Sequence, residues 1–173
     1  VVSNALGTAV SATATLTIPY TGTLATALNA TNLVWTNYVP NAPWFGQNRE
    51  THDGDDAAQS GRISDDHFSI LQTRVVGPGT LTFWWKVSSE AGYDYLKFSG
   101  TAGSQFAISG ETDWQQQTVP IAGGSQTLTW VYDKDTSVAN GQDAAWLDEI
   151  VFTPAPPVIT QQPISQTAWM GSA

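Results

Sequence analysis

The chain of 173 residues contains no cysteine. Disulfides, thiolate metal sites and cysteine nucleophiles are therefore excluded. Cations are scarce as well: 6 Lys and Arg stand against 15 Asp and Glu, a formal net charge of −9 at pH 7. Such a balance supplies no basic surface to neutralise phosphates or anionic headgroups, which argues against nucleic-acid and membrane-surface partners. No stretch approaches the roughly 20 apolar residues of a membrane helix, so membrane insertion is not expected. The first residues lack the basic-then-apolar order of a signal peptide.

Catalytic signatures are equally thin. The only two histidines, His52 and His67, lie among acidic and Ser residues in loop-type sequence and read as surface loop positions. No nucleophile elbow brings them to a Ser and an Asp. There is no glycine-rich phosphate cradle and no zinc-ligand spacing, and the acidic residues alone do not define the carboxylate pair of a glycosidase. The chain reads as a non-enzyme.

What the sequence does hold is 41% hydrophobic residues with only 12% charged ones and eight Trp, the balance of a folded β-rich protein. Short Val, Ile, Thr, Trp and Phe runs alternate with Gly, Pro, Asn and Asp clusters, and no long segment repeats at helical spacing. The clearest strand is 80–88, where Leu81, Phe83, Trp85 and Val87 share one face and Thr82, Trp84, Lys86 and Ser88 the other. Gly77-Pro78-Gly79 reads as the turn before it. Further strands are expected over 93–98, 105–108, 116–121, 126–132 and 146–152, with Gly123-Gly124 among the turns between them. The expected fold is all-β: a two-sheet antiparallel jelly-roll-like sandwich. Its core should draw on Leu81, Phe83, Trp85, Leu128, Trp130, Ile150 and Phe152.

The two ends differ from the middle. Residues 1–18, VVSNALGTAVSATATLTI, resemble the closing hairpin of bacterial immunoglobulin-like repeats, with Asn4-Ala5-Leu6-Gly7 at the turn. Residues 156–173, PPVITQQPISQTAWMGSA, resemble the opening of another such repeat. Between them, 35–152 resembles β-sandwich modules of very large secreted bacterial proteins, distantly like MAM domains and carbohydrate-binding jelly rolls. The residues that carry this are Pro43-Trp44, HDGDDAAQSG from His52, GPGTLTFWWKVSSE from Gly77, Asp94-Tyr95-Leu96, Ile108-Ser109-Gly110 with Trp114, WVYDKD from Trp130 and DAAWLDEIVF from Asp143. The resemblance implies a division into 1–18, the end of an immunoglobulin-like domain; 19–34, a linker or first strand; 35–153, the sandwich; and 154–173, a linker and the start of a second immunoglobulin-like domain. It also implies an extracellular or cell-surface setting.

Two kinds of site are expected. Flat aromatic faces beside hydrogen-bonding side chains stack on sugar rings, which makes Trp84, Lys86, Trp44, Tyr95 and Trp130 candidates for binding a polysaccharide or cell-surface glycan. Trp84 is the leading one because it alternates against an apolar face, although sandwich cores also bury Trp. Asp53, Asp55 and Asp56 surround Gly54, and oxygen-rich turns of this sort either bind hard cations or are simply solvated. In the carbohydrate-binding jelly rolls that the chain resembles, a final-strand Asp joins an early loop around structural calcium, which implies Asp148 with Asp53, Asp55 and Asp56. Lys86, Glu90, Asp94, Lys134 and Asp135 place charge inside otherwise apolar segments and read either as an ion-pair network or as a polar binding patch. Two functions stay open: a carbohydrate-binding or adhesion module, and a structural repeat of a surface fibre. In the fibre, neighbouring copies would complete the flanking domains head to tail, because an uncovered strand edge recruits a partner.

Overall fold

A computed structural model describes residues 2–4, 7–9, 19–38, 42–100, 105–159, 161 and 164. The expected immunoglobulin-like ends fall largely on 1, 5–6, 10–18, 160, 162–163 and 165–173, outside the described residues. What is described of the first end is a hairpin of β1 (Val2–Asn4) and β2 (Gly7–Ala9), with Asn4 opposite Gly7. One short helix, α1 (Leu24–Ala27), begins at Thr23, whose side chain accepts from the amide of Thr26.

The remaining strands are β3 (Trp35–Asn37), β4 (Phe45–Gln47), β5 (Ala57–Gln59), β6 (Phe68–Ser88), β7 (Tyr95–Ser99), β8 (Gln105–Ser109), β9 (Gln115–Asp133) and β10 (Ala144–Pro154). All pairings are antiparallel, in the order β4-β5-β10-β6-β9-β7-β8, with β3 on the flank of β6 that β10 leaves free. Strands β6 and β9 pair along nearly their whole length, from Phe68 opposite Asp133 to Trp85 opposite Gln115. They belong to both layers of a sandwich. The later half of β6 and the earlier half of β9 lie with β10, β5 and β4; the earlier half of β6 and the later half of β9 lie with β3, β7 and β8.

The corner between the layers lies at Gly77-Pro78-Gly79 and Gly123-Gly124, where the register shifts between Gly77 and Gly79. Both segments read as turns in the sequence, yet the strands continue through them. Glycine is required on β6 because a Cβ on Gly77 would be driven into the carbonyl oxygen of Ala122, and one on Gly79 into the ring of Phe152 and the carbonyl of Thr153. Gly124 has φ of 86°, which an L side chain rarely adopts.

Folding over this corner brings the two inner faces together. Phe83 of the first layer packs on Trp130 and Phe98 of the second, with ring centroids 5.4 and 5.1 Å away. Trp35 adds a tilted contact with Trp130 at 5.7 Å. Leu81, Phe83, Trp85, Leu128, Trp130 and Ile150 are all buried as expected, and Phe152 packs partly buried against them. Phe83 touches Trp85, Phe98 and Trp130 at once, so its loss leaves a hole that no one neighbour can fill. Phe83→Ala is expected to cost about 3–5 kcal/mol, read as a shift in the denaturation midpoint with an unchanged slope. Val151→Ala, half-exposed on β10, is expected to cost far less.

Candidate functional site

The two outer faces of the sandwich differ. On the first layer, Trp84, Lys86, Trp146 and Asp148 share the outer side, since Trp146 pairs with Lys86 and Asp148 with Trp84. This face carries the leading aromatic candidate, and a segment of the chain itself covers it. The loop over 48–56 lays His52 on Trp84, ring centroids 3.7 Å apart and planes 17° apart, and sets Glu50 on Lys86 at 2.7 Å. His52 is thus no free loop residue: its ring also meets the edge of Trp114 at 5.9 Å, and its Nδ1 faces the Glu149 carboxylate.

Several polar side chains that the sequence reading did not single out hold this loop. The Gln47 amide oxygen accepts from the amides of Arg49 and Glu50 at 2.7 and 2.9 Å, while its nitrogen donates to the Glu50 carbonyl at 2.6 Å. Asn29 donates to Asp53 at 3.2 Å and accepts from the Glu149 amide. The Tyr20 hydroxyl donates to Asp56 at 2.9 Å, and burial together with that carboxylate pushes its pKa up to about 12. Asn29 carries no alternation or turn signal because its contacts reach residues 24 and 120 positions away; Gln47 instead folds the two or three residues after it back on its own side chain.

Asp148 is the loop's anchor. It is fully buried; its Oδ2 accepts from the amides of His52 and Asp53 at 2.7 and 3.3 Å, and its Oδ1 from the amide of Glu149 at 2.7 Å. A bulge in β10 after Asp148, with Glu149 at φ of 48°, presents these groups. Asp53 likewise accepts from the Asp55 amide and Asn29, and Asp56 from Tyr20. The carboxylates of Asp53, Asp56 and Asp148 therefore build a hydrogen-bonded loop clasp, to which Asp55 contributes its backbone amide. They do not converge as a calcium cage: the carboxylates that do gather among the described residues are Glu90, Asp94 and Asp135.

The outer face of the second layer is open. Alternation places Gln72 and Arg74 of β6, Thr127, Thr129, Val131 and Asp133 of β9, and Tyr95 and Lys97 of β7 on one side. Gln72 donates to Thr129 at 3.0 Å, Lys97 pairs with Asp133 at 2.6 Å and the Lys97 ammonium stands 5.3 Å from the Tyr95 ring centroid. Tyr95 is fixed by its hydroxyl, which donates to the Gly92 carbonyl at 2.8 Å. Two shallow grooves flank the face. One, of about 350 Å³, includes Thr36, Gln72, Arg74 and Thr127; the other, of about 410 Å³, includes Lys97, Ser99, Phe106 and Val131.

Of the five aromatic and cationic candidates, Tyr95 alone lies on the open face. Trp44 and Trp130 are 2% and 0% exposed and form part of the core, so neither offers a face to a sugar. Trp84 and Lys86 lie on the capped side. Arg74, Gln72, Thr129, Lys97 and Asp133 share the open face with Tyr95; no Trp marks them in the sequence, although alternation along 125–133 places Thr127, Thr129, Val131 and Asp133 together.

Burial raises the Asp148 pKa from 3.8 to about 6. Between these values the unfolded chain releases a proton that the folded chain keeps, so the stability this group contributes is complete below about pH 4 and lost as pH rises through about 6. Thermal midpoints are expected to fall from this group across that window, and Asp148→Asn to flatten that part of the profile.

No protein-family model matches the chain, and no curated protein matches it. Solved structures do. The secreted serine protease VesC from Vibrio cholerae overlaps with a TM-score of 0.52 at 20% identity, over 57% of this chain and 21% of that one, so the chain spans about a fifth of VesC. The K3 cleaved adhesin domain of Lys-gingipain from Porphyromonas gingivalis w83 overlaps with a TM-score of 0.50 at 17% identity, over 70% of this chain and 94% of that one. A carbohydrate-binding module of the β-sandwich superfamily gives 0.47 at 12% identity, over 68% and 56%. At these identities the likeness is one of fold, and the chain is an antiparallel β-sandwich of the architecture found in the K3 adhesin domain.

Proposed function

We propose that the chain is a non-catalytic glycan-binding or adhesion module acting outside the cell, with the open face of the second layer as its binding surface. The observation that carries this is a contrast between the aromatic candidates: Trp84 lies under the chain's own loop, while Tyr95 stands among hydrogen-bonding side chains on a face that no other segment crosses among the described residues. Tyr95 offers the ring on which a sugar would lie. Gln72, Arg74, Thr129 and Asp133 on β6 and β9, with Lys97 on β7 itself, supply donors and acceptors to one side of it, the mixture that hydroxyl-rich ligands require. A face this long suits a chain of sugars more than a single ring. The K3 overlap supports an adhesive role at the level of architecture.

A glycan array probed with the full chain tests this reading. Retention on a defined polysaccharide class is expected, weakened about tenfold or more by Tyr95→Ala or Arg74→Ala, each losing about 1.4 kcal/mol or more of binding. Trp84→Phe on the capped face should leave it unchanged. No retention on any glycan, or retention indifferent to Tyr95 and Arg74, overturns the proposal.

The structural-repeat reading draws on a separate observation. Strands β4 and β8 end the strand order, and Phe106 on β8 is 38% exposed. An edge of this kind can pair with a neighbouring copy. Sedimentation of the full chain distinguishes the two: concentration-dependent chains of copies without glycan retention favour the fibre, and a monomer that retains glycan favours the module.

A further inference from the structure

Glu90 follows the end of β6, Asp94 precedes β7 and Asp135 follows β9, so three strand ends deliver three carboxylates to one place. One carboxylate oxygen from each lies within 4.8 Å of the other two. Asp94 is fully buried, with one oxygen accepting from the Asp135 amide at 3.0 Å. Its other oxygen, and Oε2 of Glu90, are buried without a hydrogen-bond partner. The nearby cation is Lys134, which three carboxylates share: its ammonium lies 2.7 Å from Asp143 and 3.3 Å from Asp65, and makes only a long ion pair, 4.0 Å, with that second oxygen of Asp94.

Orphaned buried carboxylate oxygens are costly unless something positive meets them. Burial raises the pKa of both Glu90 and Asp94, and the neighbouring carboxylates raise them further. A proton can relieve one such group. Three carboxylates converging with two oxygens that no hydrogen bond satisfies match a hard cation that takes oxygen ligands at about 2.3–2.6 Å.

We infer that Glu90, Asp94 and Asp135 form a calcium site that ties the ends of β6 and β9 to the start of β7. Its place is distinct from the Asp148 clasp, on which three backbone amides converge. Asp94 is next to Tyr95 and Asp135 is two residues beyond Asp133, so the ion would also brace one end of the open face. The cation reading stands on its own geometry and does not depend on glycan binding.

Terbium luminescence sensitised by the protein's Tyr and Trp, with calcium as competitor, tests the site on the full chain. The expected result is saturable emission displaced by calcium, and a thermal midpoint several degrees higher in millimolar calcium than in chelator. Glu90→Gln, which removes charge at a partly exposed position, should fold in chelator but bind terbium at least tenfold more weakly and lose the calcium response. Asp94→Asn should do the same if it folds. Asp148→Asn should leave terbium binding intact. Absence of terbium binding and of any calcium-dependent midpoint overturns the inference. Binding that survives Glu90→Gln, or that Asp148→Asn abolishes, overturns it too, by placing the ion elsewhere.

Discussion

Everything in this sandwich depends on the pairing of β6 with β9 through a corner. Because the same two strands run in both layers, closing the corner decides how the layers face each other, and the aromatic contact of Phe83 with Trp130 and Phe98 can form only after they close. Glycine at 77 and 79 is the local condition for this, since any side chain would strike Ala122, Phe152 or Thr153. A backbone constraint of two residues thereby controls the burial of the largest apolar side chains in the protein.

The same arrangement determines what each outer face becomes. On the first layer, β10 brings Asp148 beside Trp84, and a buried carboxylate so placed collects backbone amides from the loop over 48–56. Once the loop is clasped, His52 covers the indole and Glu50 neutralises Lys86. The second layer receives no comparable cover among the described residues. Its outer side keeps Thr, Gln, Arg and Lys, a surface that water can hydrate and that a polar polymer can displace water from.

Much of the fold was legible because alternation is a local property. Leu81, Phe83 and Trp85 on one side of 80–88 placed a core face correctly, and 93–98, 105–108 and 146–152 fall within a few residues of β7, β8 and β10; β3, β4, β5 and the first half of β6 were not expected. The corner was not legible, since Gly77-Pro78-Gly79 and Gly123-Gly124 carry turn chemistry, and only contact with Ala122 and Phe152 shows that the strands carry on. Of the proposed site the sequence offered Tyr95, together with Trp44 and Trp130, which the fold buries, because indole count does not tell a stacking platform from a core residue. Trp84 does point outward, as alternation requires. That a histidine 32 positions earlier would lie on it follows from the amide bonds to Asp148, which no pattern in the chain announces.

The clasped loop has a consequence for selectivity. His52 behaves as a tethered occupant of the Trp84 platform, present at an effective concentration that no dilution lowers. Any free ring compound seeking that indole must first evict it, forfeiting the Asp148 and Glu149 contacts, so the apparent affinity of the platform is reduced by the fraction of time the loop is lifted. The protein thus owns an aromatic surface that its own sequence largely withholds from solution.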